Sequence, residues 1–112
     1  MHDKDRIRFL HMIEAAEDVC RFINGRQRSE LDRDRMLLFA LVRAIEIIGE
    51  AASKVSDDTR QICSDIPWKA MVGMRNRLIH AYFDIDADIL WVAATQEIPA
   101  LLVTLKAHTK AS

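Results

Sequence analysis

An all-α, up-and-down bundle of about four long helices plus one short helix is the fold class this 112-residue sequence predicts. Three observations point to it. Half of the residues are apolar, enough for one domain around one hydrophobic core. Only 3 Gly and 2 Pro are present, too few for the many turns of a sheet protein. Apolar residues also return every three or four positions along most of the chain, which is the period of a helix. No internal repeat, low-complexity tract or linker interrupts it, so residues 1–112 read as a single domain.

The first helix is expected from Asp3 to Ile23, with Ile7, Leu10, Ile13, Ala16, Cys20 and Ile23 as its apolar stripe. Asp3 is the expected N-cap, and Asn24-Gly25 is a stop signal. RQRSELDRDR is a charged connection holding a short helical turn capped by Ser29. The second helix, residues 34 to 55, carries Leu37, Leu38, Leu41, Ile45, Ile48, Ala52 and Val55 on one stripe. Phe39, Val42 and Ile47 widen that stripe beyond the needs of one partner helix, which suggests burial by the core and by a second chain. Gly49, costly inside a helix by about 1 kcal/mol against Ala, marks a close helix approach.

Ser56 caps a short helix, Asp57 to Cys63. Pro67 opens the next, PWKAMVGMRNRLIHAYF, with Trp68, Met71, Val72, Leu78 and Ile79 as core candidates. Asp84 and Asp86 end that helix and cap the last one, which begins near Ala87. The last helix carries Ile89, Leu90, Val92, Ala93, Ile98, Leu101, Leu102 and Leu105. Pro99 should kink it, because the carbonyl of Thr95 loses its bond and meets the ring.

Formal net charge is −1, so no global positive field draws in nucleic acid and any such contact must come from a local patch. Cys20 and Cys63 lie far apart without a C-x-x-C pair and read as free thiols of an intracellular protein. The charged N-terminus, MHDKDRIR, lacks the apolar run of a signal peptide, and no uninterrupted apolar stretch approaches bilayer length. A cytoplasmic protein without a membrane partner is expected.

The chemistry concentrates in residues 66 to 83. Between Asp65 and Asp84 there is no acidic residue, while Lys69, Arg75 and Arg77 are basic. On composition alone this is as well explained by a solvated face. Arg75 and His80 are more specific. Cleavage of RNA by its own 2′-hydroxyl needs a base for that proton, an acid for the leaving 5′-oxygen and a cation at the phosphorane. Histidine, with an ordinary pKa of about 6.5, suits the first two roles. The planar fork of arginine suits the third, and no metal is required.

Geometry limits this pairing. Positions five apart on an ideal helix point about 140° away from each other, so Arg75 and His80 cannot share a face unless the helix ends or distorts between them. Asn76 and His80, four apart, would share one, and Asn76 could orient the imidazole or bond the substrate. One chain brings only one histidine to the site, so two copies meeting across a two-fold axis would ease a base-plus-acid mechanism.

The other ionisable groups are weaker candidates. His2 and His108 lie near ends expected to fray, and His11 falls on the flank of the first helix. Glu46 and Glu50 suit a solvated or dimer-edge role, and Trp68 and Trp91 are core residues before they are stacking platforms. No His, Cys or carboxylate pair near the motif has metal-ligand spacing, H-E-x-x-H is absent, and there is no Gly-rich phosphate loop. No cofactor is called for.

Arg75-Asn76-Arg77-Leu78-Ile79-His80-Ala81-Tyr82 resembles the R-N-x-x-x-H-x-Y signature of the HepT-like toxins of the HEPN superfamily. The resemblance covers nearly the whole chain, with EIIGEAA (Glu46 to Ala52), the IPW turn, the GMRN lead-in, the YFDID exit and Trp91 as further marks. Leu31, where relatives often carry an aromatic, is a minor departure.

The resemblance implies a HEPN-like bundle forming a homodimer, with the motif helices meeting in a cleft. It implies a metal-independent endoribonuclease acting on tRNA or mRNA as the toxin of a toxin–antitoxin pair. By the motif Arg75 and His80 would be catalytic and Asn76 accessory, while the basic Lys69 and Arg77, read from the local charge, are the expected RNA contacts. The implied partner is an MNT-type nucleotidyltransferase antitoxin that transfers AMP to the motif tyrosine, here Tyr82. A non-catalytic dimer that docks the nucleotidyltransferase or binds nucleotide stays open beside this reading, as does a purely structural interaction domain.

Overall fold

The computed structural model of the chain describes residues 1–81 and 84–111. Tyr82, and with it the modification expected there, lies outside the described residues. Helix α1 (Asp3–Ile23) is followed by a 3₁₀ turn (Arg28–Asp32), α2 (Arg35–Ser53), a short α3 (Asp57–Ile62) and α4 (Trp68–Leu78). A two-stranded ribbon follows, β1 (Ile79–Ala81) with β2 (Asp84–Ile85). The last helical rod runs through α5 (Ala87–Val92), a π turn (Ala93–Glu97) and α6 (Ile98–Ala111). Counting that rod once, four long helices and one short one build an all-α bundle, as expected, with a small antiparallel ribbon added.

Helix α1 packs against α2 and α6, and α2 packs also against α4. The core between them holds Phe9, Met12, Leu41, Ile45, Ile48, Met71, Leu78, Leu90, Ile98 and Leu105, all essentially inaccessible. The expected stripe of α2 is the buried one, Leu37, Leu41, Ile45, Ile48 and Ala52, with Leu38 partly buried and Val55 just beyond its end. Gly49 lies where α2 and α4 come closest. A Cβ added there would stand 3.0 Å from the Met71 carbonyl oxygen, so the expected close approach is real.

Other expectations need correction. The expected α1 stripe holds only in part: Ala16 is buried and Ile13 and Ile23 pack on the core, but Ile7 and Leu10 are half exposed, and the buried face is Phe9, Met12, Ala15, Ala16 and Val19. Both stripes have helical spacing, but only one side of α1 is covered, and it carries the bulky Phe9 and Met12. The α1 N-cap is His2 rather than Asp3; Asp3 and Asp5 occupy the first turn, where the helix dipole favours anions. The 3₁₀ turn is capped by Gln27, not Ser29. Gln27 and Glu30 satisfy each other's backbone amides in a capping box, with Gln27 N–H donating to Glu30 Oε2 at 2.6 Å.

Phe39 at 45% exposure and Val72 at 43% are not buried by their own chain, whereas Met74, not foreseen as core, is. Val92 is exposed as well. Ahead of Pro99 the rod passes through the π turn, in which the Ile98 N–H reaches back five residues to the Ala93 carbonyl. By length and mean hydropathy (1.3) the rod Ala87–Lys110 could cross a bilayer. Its Leu90, Ala93, Ala94, Ile98, Leu101 and Leu105 are instead part of the core, as befits a core helix.

A buried polar cluster fastens α1 to α3. Asp5, 3% exposed, accepts hydrogen bonds from the Ser56 amide (3.0 Å), the Ser56 hydroxyl (2.6 Å) and the Thr59 hydroxyl (2.6 Å). Ser56 is also the N-cap of α3, as expected, accepting from the Thr59 amide at 3.3 Å. Nearby, Trp68 packs edge-on against Phe9 with ring centroids 5.8 Å apart and donates its indole N–H to the Cys63 carbonyl at 3.1 Å. Trp68 is thus a core residue, as anticipated, and Trp91 is half buried. Both cysteines are free thiols.

Candidate active site at the end of α4

Helix α4 does not continue through residue 83. It ends at Leu78, and Ile79 turns to extended backbone (φ −115°, ψ 110°) while its amide closes onto the Arg75 carbonyl. Ile79, a β-branched residue disfavoured in helices, pairs instead with Ile85 across the ribbon, and both pack on the core. The Asp86 amide then donates to the Leu78 carbonyl at 2.7 Å, which satisfies one of the helix-end acceptors and seats the start of α5 against the end of α4. The helical offset of about 140° between Arg75 and His80 therefore does not apply, because the helix ends between them. Arg75 is in the last turn of α4, and His80 is in β1.

The same break removes the basis for pairing Asn76 with His80. Asn76 is exposed on α4, and the imidazole finds Asp86 instead, with Nε2 3.2 Å from Oδ2. Asp86 is also the N-cap of α5, its Oδ1 accepting from the Ile89 amide at 3.0 Å. That amide first, and the imidazole second, hold the Asp86 carboxyl below the usual carboxylate range. Asp84, expected to share the capping, lies in β2.

Arg75 donates from Nε to Glu46 Oε2 on α2 at 2.9 Å. Its side chain is 55% exposed, so the pair contributes only about 0.2–1 kcal/mol and can rearrange around an incoming anion. Arg75 and Glu46 also line an open groove with Arg43, Gly49, Glu50, Ser53 and Val72. Arg77 pairs with Glu97 of the π turn at 3.1 Å, and Lys69 is exposed. The stretch without acidic residues in sequence is thus met in space by carboxylates from other elements, and the expected positive patch is partly neutralised.

Two residues here were given lesser parts by the sequence. Glu46, read as a solvated or dimer-edge carboxylate, is the partner of Arg75, while Glu50 pairs with Lys54. Asp86, read only as a cap, is also the partner of His80. His108, expected near a frayed end, sits on α6 with Nε2 2.6 Å from Asp65 Oδ1. His11 is exposed on α1, in a groove with Arg8, Arg43 and Lys54. Among the described residues, no three His, Cys, Asp or Glu side chains converge to hold a metal ion.

Chemically, the end of α4 presents an exposed guanidinium, an exposed imidazole and a carboxylate on each of them. The model of the family described as "Ribonuclease HepT-like" matches residues 12–108. A Methanocaldococcus jannaschii protein named "Putative RNase MJ1380" is 39% identical over 102 residues, 90% of this chain and 94% of the relative. "Probable ribonuclease HepT" of Thermococcus cleftensis is 44% identical over 68 residues, 61% of this chain and 62% of that protein. "Putative RNase TTE0752" of Caldanaerobacter subterraneus is 36% identical over 91 residues, 81% of each chain. No solved structure matches significantly. By the family match across most of its length, the chain belongs to the HepT-like ribonucleases.

Proposed function

We propose that the chain is a metal-independent endoribonuclease of the cytoplasm, the toxin of a toxin–antitoxin pair, with Arg75 and His80 as its catalytic residues. The observation that carries this reading is the end of α4 at Leu78, which lets both side chains stand exposed at one end of the helix. His80 takes the proton of the RNA 2′-hydroxyl, whose oxygen attacks the adjacent phosphorus. Arg75 leaves Glu46 to hold the phosphorane oxygens, and a protonated imidazole supplies the leaving 5′-oxygen. The products are a 2′,3′-cyclic phosphate and a 5′-hydroxyl.

The second imidazole comes from a second copy in a homodimer with a composite cleft. Supporting this, Val72 lines the Arg75 groove one turn ahead of it and is 43% exposed, and Phe39 on α2 is 45% exposed. Lys69 and Arg77 flank the site as phosphate contacts, with Asn76 as an accessory hydrogen-bonding group. An MNT-type nucleotidyltransferase neutralises the toxin. The Tyr82 hydroxyl attacks the α-phosphorus of ATP, pyrophosphate leaves, and the added AMP places a bulky anion two residues from His80.

His80→Ala and Arg75→Ala should each abolish RNA cleavage and growth arrest while the protein stays folded and dimeric. Full toxicity of either variant would sink the mechanism. Antitoxin with ATP should silence the wild-type chain and fail to modify Tyr82→Phe.

One observation favours a second reading. Arg75 and His80 each already contact a carboxylate, as they would in a docking surface for the nucleotidyltransferase or a nucleotide. A dimer that binds that partner yet leaves an RNA pool intact would decide for it.

A further inference from the structure

The Asp86 carboxylate divides its two oxygens between two tasks. Oδ1 accepts from the Ile89 amide at 3.0 Å and caps α5. Oδ2 is not needed for the cap and lies 3.2 Å from His80 Nε2. The carboxylate is itself held in place. Its own amide donates to the Leu78 carbonyl at 2.7 Å, and the ribbon sets Ile79 opposite Ile85, so His80 and Asp86 follow on either side of one register.

An ionised carboxylate can only accept hydrogen bonds. The cap amide keeps Asp86 ionised, so the shared proton belongs to the imidazole at Nε2. A neutral imidazole protonated at Nε2 has its lone pair at Nδ1.

We infer that Asp86 is a positioning residue for His80, fixing the Nε2–H tautomer and its ring orientation so that Nδ1 is the atom that removes the 2′-hydroxyl proton. The inference rests on the ribonuclease reading of His80 given above. Once Nδ1 has taken the proton, the imidazolium keeps its Nε2–H on Asp86 and is stabilised by the carboxylate's charge. Helix capping and imidazole orientation are thereby coupled through one side chain. The start of α5 cannot move without disturbing the base.

Capping chemistry supplies a separating test, because Asn and Ser cap helices about as well as Asp. In Asp86→Asn the amide oxygen must take the Ile89 N–H, which turns the NH₂ toward His80. The imidazole then has to accept at Nε2 and carry its proton on Nδ1, the reverse tautomer. In Asp86→Ser the cap is kept and the side chain no longer reaches the ring.

The experiment measures three quantities on the full-length protein: melting temperature, kcat and KM on a defined RNA oligonucleotide, and the His80 tautomer by long-range ¹H–¹⁵N correlation. Both variants should melt close to wild type. Each should lose roughly 10- to 100-fold in kcat with little change in KM, the scale seen when outer partners of functional histidines are removed. Wild type should show Nε2–H, Asp86→Asn should show Nδ1–H, and Asp86→Ser should show a mixture.

A wild-type Nδ1–H tautomer, or undiminished kcat in a folded Asp86→Asn, overturns the inference. His80→Ala and Arg75→Ala, measured beside them, separate the two levels. If they are inactive while Asp86→Asn is fully active, only the role of Asp86 falls. If they are active, the ribonuclease site falls and the inference falls with it.

Discussion

Replacing Asp5 by Ala probes the joint between α1 and α3. The substitution removes an acceptor that is 3% exposed and takes three hydrogen bonds, from the Ser56 amide, the Ser56 hydroxyl and the Thr59 hydroxyl. Bonds to a charged acceptor contribute about 1.5–3 kcal/mol each, and relief of the buried charge returns part of that. A net loss of about 3 kcal/mol is expected, near the cost of breaking a buried polar network. For a chain of this size that lowers the melting temperature by roughly 10–15 °C.

Acidity gives the second readout. Burial pushes the Asp5 carboxyl upward, but the two hydroxyls, the Ser56 amide and the nearby His2 outweigh it and bring it below its ordinary value of 3.8. A carboxyl lowered on folding stabilises the fold above its unfolded value, and the gain is lost as pH falls through the folded one. Wild type should therefore lose part of its advantage over Asp5→Ala as pH falls below the ordinary carboxyl value and on through the lowered folded one, where Asp5 takes up its proton. Thermal and urea unfolding across pH 2 to 7 tests both statements. A melting shift under about 2 °C at pH 7, or a difference that does not shrink in acid, would refute the reasoning.

Gly49→Ala should destabilise by about 1 kcal/mol, since overpacking against the Met71 carbonyl, about 1–3 kcal/mol, exceeds the roughly 1 kcal/mol gained in helix propensity. A rise in melting temperature would contradict this. A thiol reagent under native conditions should label half-buried Cys20 well ahead of Cys63. Burial, reinforced by Asp65, pushes the Cys63 thiol up and away from the reactive thiolate; equal rates would count against it.

The helices were legible where period and caps agreed. Ser56 accepts from the third amide of its helix, as its position before the short helix predicts, and the α2 stripe faces the core. Helix α1 shows the weakness of period alone. Ile7 and Leu10 repeat as regularly as Phe9 and Met12, and only the arrangement of α2 and α6 decides which stripe is covered.

The helix boundary in the candidate-site segment was missed for a similar reason. Leu78, Ile79 and the residues after them continue the apolar content of α4. The ribbon that ends the helix depends on Ile85 and on the Asp86 amide reaching Leu78, contacts formed only after the chain reverses. Arg75 and His80 could be singled out from chemistry, whereas the role expected of Tyr82 came from the family resemblance. The carboxylate partners of Arg75 and His80 could not be, because Glu46 is 29 positions from Arg75 and Asp86 had a sufficient explanation as a cap.

In the proposed function the imidazole and guanidinium at the end of α4 cut RNA by internal attack of the 2′-hydroxyl. It is tested most directly by incubating the purified protein with RNA in excess chelator and identifying the ends produced. The expected result is cleavage undiminished by chelator, leaving 2′,3′-cyclic phosphate and 5′-hydroxyl ends, and none with His80→Ala. Cleavage that needs added metal, or that leaves 3′-hydroxyl and 5′-phosphate ends, would contradict it.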